Sequence, residues 1–365
     1  MEDEKKYIGC DVHREYSVIR VMDERGTLGP SMRVKHSGGE LERLLQSFPP
    51  GSPVAVETSG SAMWALGIVE AAGLEPHLAH ALEVKKRIAG AFQTDESDAA
   101  GLAMLLRNGT LPEVWIASPN VRDLRGLVRS RLAIRRYQTA FKNRIHGVLN
   151  QYGLKNLVEE EEDIEVRDWF SVKAHAQLMR AIESLPSASR EALRQEYILV
   201  RELELKIKSL ETAIKARTGK LGWMRLLQTL PGVGPILGAT IWLEIGDVRL
   251  SHGATSGGVC RAGAARAVQR GQNVARAGFE VVQSVFEMGF CGSAANTVVR
   301  FQKKWEEKHP HAVRLYRRVK ATTKISGKAK VAVGRHPAEA SWWVLRRKQG
   351  YREPTSVKVT SSSNG

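Results

Sequence analysis

Four carboxylates within the first hundred residues carry the chemistry that this sequence suggests. Asp11 sits in Tyr7-Ile-Gly-Cys-Asp-Val12, Glu57 in Val54-Ala-Val-Glu-Thr58, and Asp95 and Asp98 in Gln93-Thr-Asp-Glu-Ser-Asp98. The first two follow short apolar runs, so both are expected to project from the same edge of a sheet. Asp95 and Asp98 are three apart, a spacing that puts both on one face of a helix. Four acids converging in this way repel unless a cation lies among them, and hard oxygen donors suit Mg²⁺ or Mn²⁺. Two such ions about 4 Å apart can hold both oxygens of a phosphodiester in displacement. Taken singly, each acid reads as a helix cap or a solvated loop residue; the set in this order reads as a metal site. His13, two residues past Asp11, reads as an exposed loop residue or a phosphate contact.

The positioning elements follow from the patterning. Residues 7 to about 117 read as α/β. Strands are expected at Tyr7–Gly9, Val18–Met22, Val54–Val56 and Pro76–Ala79, with a turn at Asp23-Glu-Arg-Gly26. Helices are expected at Ser61–Ala72, Ala81–Ala91 and Ser97–Arg107, the last stopped by Asn108-Gly109. Strand, hairpin, strand, helix, strand with acids at the strand ends is the layout of a ribonuclease-H-like core.

The chain has 365 residues, 55 Lys and Arg against 39 acids, and a net charge of +16. That balance marks a polyanion partner, nucleic acid first, with ribosomal-type or membrane-surface binding as the bland alternative. Cys10, Cys260 and Cys291 have neither metal-ligand spacing nor a disulfide framework, so a reducing cytoplasm is expected, with action at the nucleoid. The charged N-terminus is unlike a signal peptide, and no apolar run approaches the ~20 residues that a membrane helix needs.

Beyond the acids, Asn120–Tyr152 reads as one long helix with a basic face. Arg122, Arg125, Arg129, Arg131, Arg135, Arg136, Lys142 and Arg144 meet only Asp123 in that stretch. Such imbalance points to phosphate contact, with a plain surface or an interface helix as the bland alternative. Glu159-Glu-Glu-Glu-Asp163 marks a break. From Ser187 to about Lys215 a second helix carries Leu193, Val200, Leu203, Ile207, Leu210 and Ile214 in a heptad-like seam. It can pair with another subunit or fold back on the basic helix. Pro231-Gly-Val-Gly234 between apolar segments reads as a helix-hairpin-helix, in which Gly232 and Gly234 let backbone N–H groups approach a phosphate. Its bland alternative is a tight turn without a ligand. Helices are expected again at Phe301–Lys308, His311–Lys320 and Val331–Arg347, with Arg314, Arg317, Arg318 and Lys320 basic. Lys324–Lys330 reads as a basic loop, and Trp342 and Trp343 as core residues.

In order, Tyr-Ile-Gly-x-Asp-Val-His, Glu-Thr-Ser-Gly, Thr-Asp-x-x-Asp-Ala, Leu-Pro-Gly-Val-Gly-Pro and Glu-Ile-Gly-Asp247 resemble the IS-one-ten (Piv/MooV-like) insertion-sequence transposases. The resemblance covers about residues 5–248 and resumes near Ala294. It implies a RuvC-like DEDD domain using Asp11, Glu57, Asp95 and Asp98 with Mg²⁺ (or Mn²⁺), both as metal ligands and as the catalytic acids. It further implies a coiled coil for assembly into a dimer or tetramer, and a C-terminal transposase domain with a nucleophilic serine. DNA is then the substrate and a structured guide RNA a partner. Gln93 stands where the family has Lys. The expected organisation is a RuvC-like domain over 5–118, basic helix and coiled coil over 119–220, transposase domain over 221–353, and a flexible tail over 354–365. The candidate nucleic-acid contacts are Arg129, Arg136, Arg144, Gly232, Gly234, Arg317 and Arg318.

Leu250 to Ser293 departs from that pattern. The family reads roughly Phe-Pro-x-Ala-x-x-Leu-Ala-x-Tyr-Ala-Gly-Leu-Val-Pro, then Ser-Ser-Gly-Gly-Lys, then Asn-x-Tyr-Leu-Lys-Trp. This chain reads LSHGATSGGVCRAGAARAVQRGQNVARAGFEVVQSVFEMGFCGS, without helix or strand period. Synonymous codons for Leu250–Asn273, read without their first base, spell FPTARHLAEYAGLVPRVQSSGGK. Those for Val281–Ser293 spell LCNQYLKWGFVEA in the same way. The hypothesis is a frameshift near 249 and a compensating one near 293; a gene whose shifted frame lacks Ser-Ser-Gly-Gly would contradict it. The shifted serine codons fall across Val268, Gln269 and Arg270. Ser251, Ser256 and Ser284 lie outside the motif, so no nucleophilic serine is identifiable. The sequence therefore reads as a transposase impaired by a lost nucleophile. A non-catalytic nucleic-acid-binding protein and a Holliday-junction-type metal nuclease stay open as alternatives.

Overall fold

The computed structural model describes residues 5–88, 94–154, 168–245, 306 and 310–353. The segment 250–293 with Ser251, Ser256 and Ser284, the acidic break 159–163, Gln93, Cys260, Cys291, most of 301–308, the tail 354–365 and the side chain of Trp342 lie outside that description. The described residues divide into two compact units, one ending at Ala117 and the other beginning at Ser118.

The first unit is a six-stranded mixed sheet with helices on both faces. Its strands are β1 (Tyr7–Val12), β2 (Tyr16–Met22), β3 (Met32–Lys35), β4 (Pro53–Glu57), β5 (Glu75–Ala79) and β6 (Glu113–Val114), in the order β3-β2-β1-β4-β5-β6. β1, β2 and β3 pair antiparallel, and β4 and β5 run parallel to β1. This is an α/β arrangement consistent with the expected ribonuclease-H-like core. Parallel strands bury both faces, which explains why Val54-Ala-Val is continuously apolar. On one face Ile8, Cys10, Val12, Ile19, Val54 and Val56 pack with Leu41 and Leu45 of α1 (Glu40–Gln46) and Leu66 and Val69 of α2 (Ala62–Ala71). On the other, Ala55 and Ala79 meet Val84 of α3 (Ala81–Arg87) and Leu102, Leu105 and Leu106 of α4 (Asp95–Arg107).

Gly9 sets the distance between α4 and the sheet. A Cβ there would lie 1.9 Å from the Ala99 carbonyl oxygen and 2.7 Å from the Ala103 nitrogen, both backbone atoms. Only a residue without a side chain lets the helix approach β1 this closely.

The second unit is helical. α5 (Pro119–Gln151) and α7 (Ser187–Thr218) form a long antiparallel pair, with α6 (His175–Glu183), α8 (Gly222–Leu227) and α9 (Pro235–Ile245) packed at its ends. The α7 seam is buried at Leu193, Val200, Ile207 and Ile214, seven residues apart, and it folds back on α5. Ile145 and Leu149 pack with Leu193, Tyr197 and Val200 at one end, and Val128 with Ile214, Met224, Ala239 and Leu243 at the other. α10 (Pro310–Thr323) packs on α11 (Ser326–Arg347) through Val313, Tyr316, Ala329 and Val333. The expected basic loop over Lys324–Lys330 is corrected here: from Ser326 onward it is the first part of α11. No helix among the described residues is long and apolar enough to cross a membrane.

Candidate metal centre

Asp11 and Glu57 lie where β1 and β4 end side by side. The parallel register pairs Ile8 with Val54, Gly9 with Ala55 and Cys10 with Val56, so the two acids occupy the next positions of adjacent strands. Asp95 and Asp98 open α4, held down on β1 at Gly9. Thr94 caps the helix: its hydroxyl accepts from the Ser97 N–H at 3.2 Å, and the Ser97 hydroxyl accepts from the Thr94 N–H at 3.0 Å. This capping box fixes where the first turn starts and so where both aspartates stand. The positive end of the helix dipole partly offsets their charge.

The four acids share one electrostatic environment. Burial pushes the Asp11 carboxyl above its ordinary 3.8, and Asp98 and Asp95 push it further, while His13 draws it back. Burial likewise raises Glu57 above 4.5; Lys85 opposes this, and Asp11 and Asp98 add to it. Carboxylates raised by burial and by one another occupy a site that is short of positive charge.

His13 supplies part of what is missing. The β1–β2 hairpin, closed by the His13 N–H donating to the Tyr16 carbonyl at 3.0 Å, brings its ring among the acids. Its Nε2 lies 3.0 Å from Asp11 Oδ2 and 3.3 Å from Asp95 Oδ2. That nitrogen is shut off from solvent, yet it is aligned for a hydrogen bond to neither oxygen. One atom each from Asp11, His13 and Asp95 fall within 4.8 Å of one another. Two carboxylate oxygens around one imidazole nitrogen fit a divalent cation, with Mn²⁺ or Mg²⁺ matching the carboxylates. Tyr16, which sequence patterning did not single out, donates its hydroxyl to Asp95 Oδ2 at 3.0 Å. No local pattern signals a pair 79 residues apart.

Cys10, one residue from Asp11, belongs to the core instead. It is buried, and burial pushes its thiol up to about 12, which leaves it protonated and inert.

The candidate phosphate contacts are placed differently. Arg129 forms a two-pronged pair with Glu244 of α9, at 2.9 and 2.8 Å. Arg144 pairs with Glu196 of α7, and Arg131 with Glu211. Arg125 donates to the Leu243 carbonyl. The acids that the sequence of α5 lacks thus arrive from α7 and α9. Arg317 is paired with Glu306 at 2.6 and 2.9 Å. Arg136 and Arg318 lie on the exposed sides of α5 and α10. Gly232 has φ +75°, a left-handed turn between α8 and α9, and Gly234 immediately precedes α9.

The mixed sheet thus brings two acids to the ends of adjacent parallel strands and two more on the first turn of the helix packed against them. Residues 8–154 match the family model of DEDD transposases of the IS110 type, described as "Transposase". Two curated proteins are similar. "Putative transposase y4pF/y4sB" of Sinorhizobium fredii (strain NBRC 101917 / NGR234) is 22% identical over 366 aligned positions, covering 97% of this chain and 87% of that one. "Probable family 20 transposase" of Pseudomonas aeruginosa PAO1 is 24% identical over 251 positions, covering 66% and 69%. The match over residues 8–154 is to the IS110 family of insertion-sequence transposases, the family that the motifs of this chain resemble.

Proposed function

We propose that this chain is a DNA transposase of an insertion sequence whose metal centre is intact and whose joining chemistry is impaired. One observation carries the reading: Asp11, Glu57, Asp95 and Asp98 meet at one edge of the sheet, where burial and mutual repulsion raise Asp11 and Glu57. Asp11, Glu57, Asp95, Asp98 and His13 would hold the cation. A bound divalent ion supplies Lewis-acid polarisation of a phosphodiester oxygen and stabilises the charge that develops on displacement. The residues themselves supply a fixed array of acceptors, set by the β1–β4 register and the Thr94 cap. They also supply, through His13, a nitrogen donor beside two carboxylates.

The family resemblance supports DNA as substrate, a structured guide RNA, a cytoplasmic setting and assembly from several copies. The left-handed Gly232 and the helix beginning at Pro235 support a helix-hairpin-helix contact to DNA backbone. Ile198 and Leu205, seven residues apart and exposed on α7, support pairing with a second copy beside the internal α5–α7 seam. Impairment rests on residues 250–293, where no Ser-Ser-Gly-Gly occurs.

The test restores the frame. The element would be placed in a host with its gene either as written or shifted by one base between codons 249 and 293, and recombinant junctions would be sought by amplification. The repaired gene is expected to give junctions, the gene as written none, and the repaired gene with Asp11→Asn none. Junctions from the unrepaired gene, or from repaired Asp11→Asn, would overturn the reading.

A further inference from the structure

Asp95 is the most exposed member of the Asp11–His13–Asp95 group, with its side chain 43% exposed against 16% for Asp11. A carboxylate on the first turn of a helix rotates freely unless something holds one of its oxygens. Tyr16 does so: its hydroxyl donates to Asp95 Oδ2. The Tyr16 ring is in turn held. His13 stacks on it with ring centroids 4.5 Å apart and planes 25° from parallel. The Arg33 guanidinium carbon lies 3.7 Å from the ring centroid. The register explains the company. Asp11 pairs with Val18 and Val18 with Arg33, so Asp11, Tyr16, Val18 and Arg33 share the face of the sheet that carries α4.

We infer that Tyr16 is a positioning residue for this centre: its hydroxyl aims Asp95, and Arg33, stacked on its ring, aims Tyr16. The inference rests on the metal-centre reading above. Groups that hydrogen-bond a ligating carboxylate orient it and contribute about 10- to 100-fold to metal affinity. Tyr16 is placed to do this from β2, a strand that carries none of the four acids. Arg33 sits on edge strand β3 and acts only through the ring, where an exposed cation–π contact is worth about 2- to 5-fold.

The test is Mn²⁺ binding by isothermal titration to the full chain, with far-UV circular dichroism as a folding control. Tyr16→Phe keeps the ring and removes only the hydroxyl; it is expected to weaken Mn²⁺ about tenfold. Arg33→Met is expected to weaken it about threefold, and to add nothing when combined with Tyr16→Phe. Wild-type affinity in Tyr16→Phe would overturn the inference, because a purely structural ring role survives that change. A full additional loss in the double variant would overturn the part assigned to Arg33. Failure of the wild-type chain to bind Mn²⁺ would remove the metal centre itself, and this inference with it. If Tyr16→Phe fails to fold, Arg33→Met alone decides: unchanged affinity contradicts the inference.

Discussion

Asp11 and Glu57 in the N-terminal unit have their proton affinity raised by burial and by other acids of the same group, whereas Arg129, Arg131 and Arg144 of α5 in the second unit are met by opposite partners. Glu244, with its side chain 1% exposed, receives Arg129 through two hydrogen bonds, and Glu211 and Glu196 receive Arg131 and Arg144. Both regions looked alike in sequence, each a cluster of one sign. Folding separates them. Charge that the fold answers holds helices together, and charge that it answers only in part, as His13 does for Asp11 and Lys85 for Glu57, marks a candidate site. Arg129, Arg131 and Arg144 thus serve first as the packing of α5 on α7 and α9. The phosphate role expected of Arg129 and Arg144 would require them to keep, share or exchange those partners.

The largest effect on stability is expected from breaking an answered charge. Arg129→Met leaves Glu244 buried without its partner and should cost about 3 kcal/mol, the lower end for a broken buried pair because Arg125 remains beside it. Denaturant unfolding of the variant checks this, and a change below about 0.5 kcal/mol would place Arg129 among ordinary surface charges. Gly9→Ala should come next. The added Cβ meets backbone atoms of α4, so the helix must lift, at about 1–3 kcal/mol. It should also weaken Mn²⁺ binding, because Asp95 and Asp98 move with α4.

Changing a charge that the fold answers only in part should do the opposite. Asp11→Asn is expected to leave thermal stability in chelator unchanged or higher at neutral pH. The sign follows from the raised carboxyls of Asp11 and Glu57. Between the ordinary values of 3.8 and 4.5 and the higher values in the fold, the folded chain binds more protons than the unfolded one. Their contribution to stability is therefore full at low pH and is lost as pH rises through the folded values. Melting temperature measured from pH 4 to 7 should show the wild type losing its advantage over Asp11→Asn along that rise. A variant less stable at every pH would show that Asp11 is answered after all. The smallest effect is expected from Arg144→Ala, whose pair with Glu196 has its cation 64% exposed and should contribute less than about 1 kcal/mol.

Much of this was legible in the chain. Asp11, Glu57, Asp95 and Asp98 each follow a pattern that fixes their place, two after apolar strands and two on a helix turn. β4 and α2 lie within a residue or two of their apolar runs. β3 was missed because it is a four-residue edge strand, and α1 because it is only two turns long. β6, of two residues, is too short to be read, whereas α6 was missed although Leu178, Ala181 and Ile182 give it a clear apolar face. The roles of His13 and Tyr16 depend on a hairpin folding under a helix that begins about 80 residues later, which local spacing does not encode. The same is true of Arg129 and Glu244, separated by 115 residues.

Calorimetric titration of Mn²⁺ into the wild-type chain and into Asp11→Asn decides whether these acids form a divalent-cation centre. Saturable binding to the wild type, competed by Mg²⁺ and absent from a folded Asp11→Asn, is the expected result. No binding to the wild type, or equal binding to both, would contradict it.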